Sequence, residues 1–239
     1  MILTMLPVTR FASVPGGWFL MGSEEGQDDE SPVHRVWVDT FELAIYPVTR
    51  GEYANFRHET NYESPREWDN PRFADPLLPV VGVSWHDAYV YCVWRSSLGD
   101  LVRLPTEAEW ERAARSGDGT SQYPWGDEIP AWIPNRGIGA LESPWPVAFG
   151  DPTPLGLYGI GANIHEWCAD WHSKAYYQKS PSRNPVGPTH GVRRASRGGS
   201  WRHARTLSRN AARSKLDPAF RYTDYGFRLA RSLADPTRS

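Results

Sequence analysis

The sequence predicts an α+β fold in which few helices and several short strands are joined by long, ordered loops. Its 239 residues include 21 Gly and 21 Pro, more chain-breaking residues than a helical bundle or a doubly wound sheet accommodates. They also include 12 Trp, 11 Tyr and 8 Phe, and such large rings can anchor loops that lack regular backbone pairing. The length suits one domain, and because no linker or internal repeat is visible we expect a single domain over residues 1–239.

The composition also excludes several classes of protein. A net charge of −2 gives the whole chain no strong attraction to nucleic acid or to an anionic membrane. No run of about 18 apolar residues exists, so we expect no membrane span. The segment Met1–Val8 is apolar but lacks the basic start and the cleavage site of a signal peptide. Two cysteines far apart, Cys92 and Cys168, form no disulfide framework, and we expect a cytoplasmic, reducing location.

Strand-like segments stand near both ends of the chain, where apolar and polar residues alternate. They are residues 14–22, 34–39, 41–44, 195–201 and 224–230. From residue 117 to residue 197 the chain is rich in Pro, Trp and Tyr. We expect this stretch to be mostly ordered loop.

Three helices are predicted by capping boxes, in which a hydroxyl and a carboxylate three residues later satisfy two free amides. The pairs are Thr49 with Glu52, Ser84 with Asp87, and Thr106 with Glu109. Apolar residues at spacings of three and four follow each pair, and Gly117 should end the third helix.

Short motifs recur along the chain in a fixed order. They are 15–23 (PGGWFLMGS), 46–49 (YPVT), 79–88 (PVVGVSWHDA), 103–111 (RLPTEAEWE), 123–126 (YPWG), 163–171 (NIHEWCADW), 197–201 (RGGSW) and 226–230 (GFRLA). Together they resemble the formylglycine-generating enzyme, or sulfatase-modifying factor, family over a core of about residues 14–231. The resemblance implies a variant of the C-type-lectin fold, with small, mixed but mostly antiparallel sheets.

The resemblance also implies a chemistry for which this chain lacks the essential residues. Members of the family oxidise a substrate cysteine to formylglycine with molecular oxygen, using two cysteines that bind copper(I), a soft ion suited to thiolates. Here the matching positions hold His203 and Ser208. The remaining Cys92 and Cys168 match positions at which the family often carries a buried, non-catalytic cysteine. We therefore predict that this chain does not make formylglycine by the family mechanism.

A second departure places another histidine in the same region. The family usually has Trp-Glu-Trp, the first Trp lining the oxygen pocket, where this chain has His165-Glu166-Trp167. If the fold is kept, His165 and His203 share one cavity, with His172 nearby. Two histidines with a carboxylate are a known ligand set for iron(II), zinc or copper(II). In the alternative interpretation the two imidazoles only hydrogen-bond to neighbours, because no third ligand stands at a recognisable spacing.

Structural calcium is a further expectation from the resemblance. The ligands of one site would be Gly159, Ala162, Ile164 and Glu166. Several carbonyls and one carboxylate suit a hard cation. The alternative is that Glu166 accepts hydrogen bonds from loop amides. A second site would begin at Asn135 and Arg136, although its loop is short here and Glu142 would have to supply a missing ligand.

Basic residues are concentrated near the C-terminus, where residues 193–231 carry eleven Arg and Lys against two Asp. Such an excess can mark a surface for anions, although arginines also pair with acidic residues inside a fold. Arg197, Arg213 and Arg228 match positions that are largely structural in the family. The candidates for gripping an acidic ligand are Arg202, Arg205 and Arg209. No nucleic-acid-binding motif is present.

Two functions are consistent with these observations. The first is an accessory module whose aromatic cleft binds a peptide, a protein or an acidic small molecule, with Ser200, Trp201 and Tyr225 beside the arginines. The second is an oxidoreductase in which His165 and His203 hold iron or copper while Ser208 or Tyr225 orients the substrate. The lack of a third metal ligand favours the first.

Overall fold

The computed structural model describes residues 9–117 and 119–233, so the segment Met1–Val8 lies outside the described part. The helices are α1 (Arg50–Thr60), α2 (Trp85–Ser97) and α3 (Glu107–Ala114). The strands are β1 (Phe11–Val14), β2 (Gly17–Met21), β3 (His34–Val38), β4 (Phe41–Ala44), β5 (His165–Trp171), β6 (Arg194–Arg197), β7 (Arg213–Leu216), β8 (Tyr225–Gly226) and β9 (Ala230–Ser232). Within these residues no helix is long and apolar enough to cross a membrane.

The strands form three small sheets. One has the order β1-β4-β9, a second pairs β2 with β3, and the third has the order β7-β6-β5-β8. The pairs are antiparallel except for β5 with β8, which run parallel. The predicted α+β class, with few helices and small, mostly antiparallel sheets, is confirmed.

Each helix begins at its predicted capping box. At α1 the Thr49 hydroxyl accepts a 3.1 Å hydrogen bond from the Glu52 amide, and the Glu52 carboxylate accepts a 2.8 Å bond from the Thr49 amide. The boxes of α2 and α3 are closed in the same way. After α3 the chain turns at Gly117, whose amide donates to the carbonyl of Arg112 with φ at +106°.

Two strands, β5 and β7, were not predicted. β5 lies within the stretch from residue 117 to residue 197 that the sequence predicts to be mostly loop, and it is one of the two inner strands of the four-stranded sheet. The first four residues of β5 are all buried, so the strand has no alternation of apolar and polar residues to reveal it. The two polar residues among these four, His165 and Glu166, are buried because each has a partner inside the fold.

Buried ion pairs join α3 to the four-stranded sheet. Glu107 receives two hydrogen bonds from Arg213, at 2.7 and 2.8 Å, and Glu111 receives one from Arg197. All four side chains are almost completely inaccessible to solvent. Much of the basic character of the C-terminal segment is therefore used inside the fold, since a buried carboxylate needs a nearby cation.

Candidate metal centre

The structure brings His165 and His203 together at one end of the four-stranded sheet. His165 is the first residue of β5, and its register partner on β8 is Tyr225. His203 lies on a turn after β6, closed by a 3.0 Å bond from its amide to the carbonyl of Ser200. Nε2 of His165 lies 3.0 Å from Nδ1 of His203. This contact is a hydrogen bond between the two imidazoles.

Asp224 completes a group of three that the sequence analysis missed. Its Oδ2 lies 4.0 Å from Nε2 of His165 and 3.8 Å from Nδ1 of His203. Among the residues that the structure describes, no other three or more His, Cys, Asp or Glu side chains lie close enough to share a metal ion. The available signal is the position of Asp224 two residues before the motif Gly226-Phe227-Arg228-Leu229-Ala230, where the sequence indicates only the start of a strand-like segment and one of two acidic charges.

The backbone and one hydroxyl fix the position of Asp224. Its carbonyl accepts a 2.9 Å bond from the amide of His165, which is part of the pairing between β5 and the segment entering β8. The hydroxyl of Ser200 donates to Oδ2 at 2.9 Å and lies 3.2 Å from Nδ1 of His203. The carboxylate is therefore held in place before any ion arrives.

The three side chains fit a transition-metal ion. With bonds of about 2.1 Å, ligand atoms lie about 3.0 Å apart at right angles and about 3.4 Å apart in a tetrahedron. The observed separations of 3.0, 3.8 and 4.0 Å come close to these values and need only small side-chain shifts. The side chains of His165 and Asp224 are each 4% exposed whereas that of His203 is 40% exposed, so the group is open to solvent on one side.

Burial also sets the protonation of His165. Its removal from water lowers the pKa of the imidazole to about 4, against the opposing influence of the Asp224 charge. His165 is therefore neutral at pH 7, the form in which an imidazole binds a metal. The ring of Tyr225 stacks on it at 4.7 Å, while the Tyr225 hydroxyl bonds to Ser214 at 2.9 Å. Tyr225 thus supports the imidazole with its ring, and its hydroxyl is engaged elsewhere.

The predicted ligand-binding arginines differ in their placement. Arg202 lies at the open side, half exposed, with Nη1 3.9 Å from Oδ1 of Asp224. Arg205 is exposed beside Gly137. Arg209 forms two 2.7 Å bonds to the buried Glu30, so the expectation that it grips an external ligand does not fit. That carboxylate needs a counter-charge inside the fold.

Three other predicted residues have their partners outside the group of three ligands. Trp201 is buried in an apolar cluster and packs against Phe73. Ser208 is buried on a short 3₁₀ helix, where a Cβ on Gly199 would lie 2.5 Å from its Oγ. His172 bonds to Asp29 at 3.0 Å, so the expectation that it lies near the histidine pair does not fit.

The contacts of Glu166 do not suit calcium. Its carboxylate accepts bonds of 2.9 and 3.1 Å from Arg228 and one of 2.8 Å from Nε1 of Trp110. Both members of the ion pair are fully buried. Since the guanidinium already balances the charge and fills the acceptor positions, Gly159, Ala162 and Ile164 have no free carboxylate with which to complete a site.

The second calcium expectation meets a similar difficulty. The Asn135 amide group donates a 2.8 Å bond to the carbonyl of Gly139, and both Asn135 and Arg136 have positive φ angles in a tight turn. Glu142 is 85% exposed and lies 3.9 Å from Arg72. The contacts of Asn135 and Arg136 thus hold a loop together, and the second calcium site stays a prediction.

A large cleft in the described part of the chain lies away from the side chains of His165, His203 and Asp224. It encloses about 910 Å³ and is lined by residues of α2, β4, β5 and β6, including Trp85, Tyr89 and Arg194. None of the three candidate metal ligands lines it. A candidate site chosen by cavity size alone would therefore not have included the histidine pair.

Comparison with known proteins agrees with the fold. The family model described as "Sulfatase-modifying factor enzyme 1-like domain" matches residues 4–233. The formylglycine-generating enzyme of Streptomyces coelicolor is 33% identical over 91% of this chain and 87% of that enzyme. The serine/threonine-protein kinase pkn1 of Chlamydia caviae is 34% identical over 94% of this chain, which spans only 38% of the kinase. The structure of PvdO from Pseudomonas aeruginosa superposes with a TM-score of 0.79 at 26% identity, covering 93% of this chain and 94% of PvdO. The chain therefore belongs to the sulfatase-modifying factor, or formylglycine-generating enzyme, family.

Proposed function

We propose that this chain is a metal-dependent oxidoreductase in which His165, His203 and Asp224 hold one iron or copper ion. The observation that supports this proposal is the meeting of the three side chains within 4.0 Å of one another on the open end of a sheet. Two histidines and one carboxylate would leave further coordination positions of a bound iron(II) free for oxygen and substrate. The sequence favoured a binding module because it showed no third metal ligand. Asp224 can supply that third ligand.

The residues around the site have separate roles in this proposal. Tyr225 holds the ring of His165, and Ser200 holds the carboxylate of Asp224. His203, the most exposed of the three ligands, faces the side from which a substrate arrives. Arrangements of this kind fix metal ligands before binding and so reduce the cost of ordering them.

Thiolate chemistry is not part of the proposed reaction. Cys92 lies on α2 and Cys168 on β5, and both are buried free thiols outside the group of three ligands. Burial raises the pKa of Cys92 to about 12 and raises that of Cys168 as well. Neither thiol is therefore available as a thiolate near pH 7.

The test is to measure bound metal on untagged protein by inductively coupled plasma mass spectrometry. We expect about one iron or copper ion per chain after anaerobic reconstitution with iron(II) or copper. The variants Asp224→Asn and His165→Ala/His203→Ala should lose it, and His190→Ala, which removes an exposed histidine elsewhere, should keep it. Wild-type protein that retains no stoichiometric metal, or variants that retain as much as the wild type, would contradict the proposal.

A binding module is the second candidate, favoured by the match to the chlamydial kinases. There the region similar to this chain is a part of a longer protein. In that case the cleft would bind a peptide, a protein or a small anion without a metal. Ligand binding that is equally strong in the metal-free wild type and in His165→Ala/His203→Ala would favour the module over the enzyme.

A further inference from the structure

Arg202 stands at the open side of the three ligands and is only partly used by the fold. Its Nη1 donates a 3.0 Å bond to the hydroxyl of Thr223 and lies 3.9 Å from Oδ1 of Asp224. Its side chain is 50% exposed. Because a guanidinium has five N–H donors, several remain available on the side that faces solvent.

Arg205 presents a second cation three residues further along the chain. It is exposed, and no carboxylate lies within ion-pair distance of it in the described ranges 9–117 and 119–233. Its stem rests on Gly137, where an added Cβ would lie 3.2 Å from that of Arg205. Arg209, by contrast, forms an ion pair with the buried Glu30. Arg202 at the open side of the site, and Arg205 three residues along the chain, are therefore two arginines that the fold does not use for neutralising buried acids.

Aromatic side chains lie on the segment that leads into Asp224. Phe220 and Tyr222 are 48% and 41% exposed and contact each other edge to face at 5.8 Å. Tyr222 lies 6.0 Å from Tyr225, the residue that stacks on His165. The rim near the arginines thus offers apolar surface to the carbon skeleton of a ligand.

We propose, on the basis of the metal site described above, that its substrate is an organic anion whose carboxylate or phosphate group binds Arg202 beside the metal. Arg205 attracts the same group from further out. A bound cation neutralises Asp224, the one carboxylate within ion-pair distance of Arg202 in the described part of the chain, and thereby frees the guanidinium. A planar guanidinium matches the two oxygens of a carboxylate or phosphate, which gives orientation as well as affinity.

The test uses the full chain loaded with cobalt(II), whose visible absorption reports changes at the bound ion. The probes are succinate, inorganic phosphate, and a blocked peptide containing Asp, with its Asn counterpart as reference. We expect saturable changes with at least one anion. Arg202→Gln should weaken that affinity about 10- to 100-fold, as loss of a charge-assisted contact predicts. Arg193→Gln removes an exposed arginine elsewhere and should behave as the wild type does.

The outcomes separate the two proposals. Cobalt binding that is intact in Arg202→Gln, together with unchanged anion affinity, would overturn the anion proposal and leave the metal site standing. Failure of the wild type to bind cobalt would contradict both the metal site and the anion proposal that rests on it. A response to succinate or phosphate alone indicates a free small anion, whereas a response to the Asp peptide that its Asn counterpart lacks indicates an acidic side chain.

Discussion

The backbone N–H of Glu107, the first residue of α3, donates a 2.8 Å hydrogen bond to Oδ2 of Asp170 near the end of β5. Asp170 is almost completely buried, and no arginine or lysine forms an ion pair with it among the described residues. Burial, and then the negative charge of Glu107, raise the pKa of Asp170 to about 8. The carboxyl group is therefore protonated in the folded protein near neutral pH.

This pKa predicts the pH dependence of stability. The unfolded chain releases the Asp170 proton near pH 4 and the folded chain near pH 8, so the stabilising contribution is full below about pH 4 and is lost as pH rises to 8. Asp170→Asn cannot ionise and can still accept the amide bond. We expect the difference in melting temperature between Asp170→Asn and the wild type to increase by roughly 5 °C, in favour of the variant, when the pH is raised from 5 to 8.

Thermal melts of both proteins across this pH range provide the measurement. The melting temperature of Asp151→Asn, a change at an exposed position, should vary with pH as that of the wild type does. A constant difference between Asp170→Asn and the wild type at all pH values would show that the carboxyl group is ionised in the folded state.

Metal binding should raise thermal stability. An ion that binds only the folded state stabilises it by about 2.7 kcal/mol at 100 times its Kd, which corresponds to roughly 5–10 °C in a domain of this size. We expect zinc(II) to produce such a shift in the wild type and none in Asp224→Asn. Calorimetry with and without a chelator measures it, and equal shifts in the two proteins would place the ion elsewhere.

Tyr225 should affect the metal site through its ring and not through its hydroxyl. Tyr225→Phe keeps the stacking on His165 and loses one bond to Ser214, so it should retain metal and lose about 1 kcal/mol of stability. Tyr225→Ala should bind metal more weakly, because the imidazole loses its support. Metal titrations of the two variants separate these effects, and identical affinities would contradict the assigned role.

The buried pair of Glu111 and Arg197 should be costly to break. Glu111→Gln leaves Arg197 buried without its full counter-charge, and we expect a loss of about 3–5 kcal/mol in the free energy of unfolding. Arg183→Gln breaks a pair with Asp39 in which both side chains are about 60% exposed, and should cost less than about 1 kcal/mol. Urea unfolding measures both, and similar losses would show that burial does not govern the difference.

The two cysteines should be unreactive in the folded protein. Both are buried, and the raised pKa of each disfavours the thiolate that alkylating reagents need. Iodoacetamide at pH 8 should therefore label neither Cys92 nor Cys168 until the protein is unfolded in urea. Mass spectrometry of intact protein gives the count, and rapid labelling without urea would refute the assignment of both as structural.

The sequence predicted those features that depend on local contacts. The capping boxes at Thr49, Ser84 and Thr106 involve residues only three apart, and each helix begins where its box predicts. The pairing of β5 with β8 was not predictable in this way, because it joins residues far apart in the chain. Asp224 becomes a candidate ligand only through that pairing.

The placement of the charged residues, like the pairing of β5 with β8, could not be predicted from the sequence. The excess of arginine near the C-terminus is visible in the sequence, but its division between the interior and the surface is not. Arg209 and Arg202 have similar local sequences, yet one neutralises the buried Glu30 and the other faces solvent beside Asp224. Only the burial of a carboxylate supplied by another part of the chain decides between these outcomes.

The parallel addition of β8 to β5 has a consequence for the order in which the molecule assembles. Until residues 224–226 dock, His165 and Glu166 lie on an unpaired strand edge, and their amides and carbonyls are open to any other extended chain. Docking needs contacts across a long stretch of sequence, which makes it a late event in folding. A chain interrupted before Asp224 would thus keep an unpaired strand edge, and its propensity to aggregate should disappear once β8 is in place.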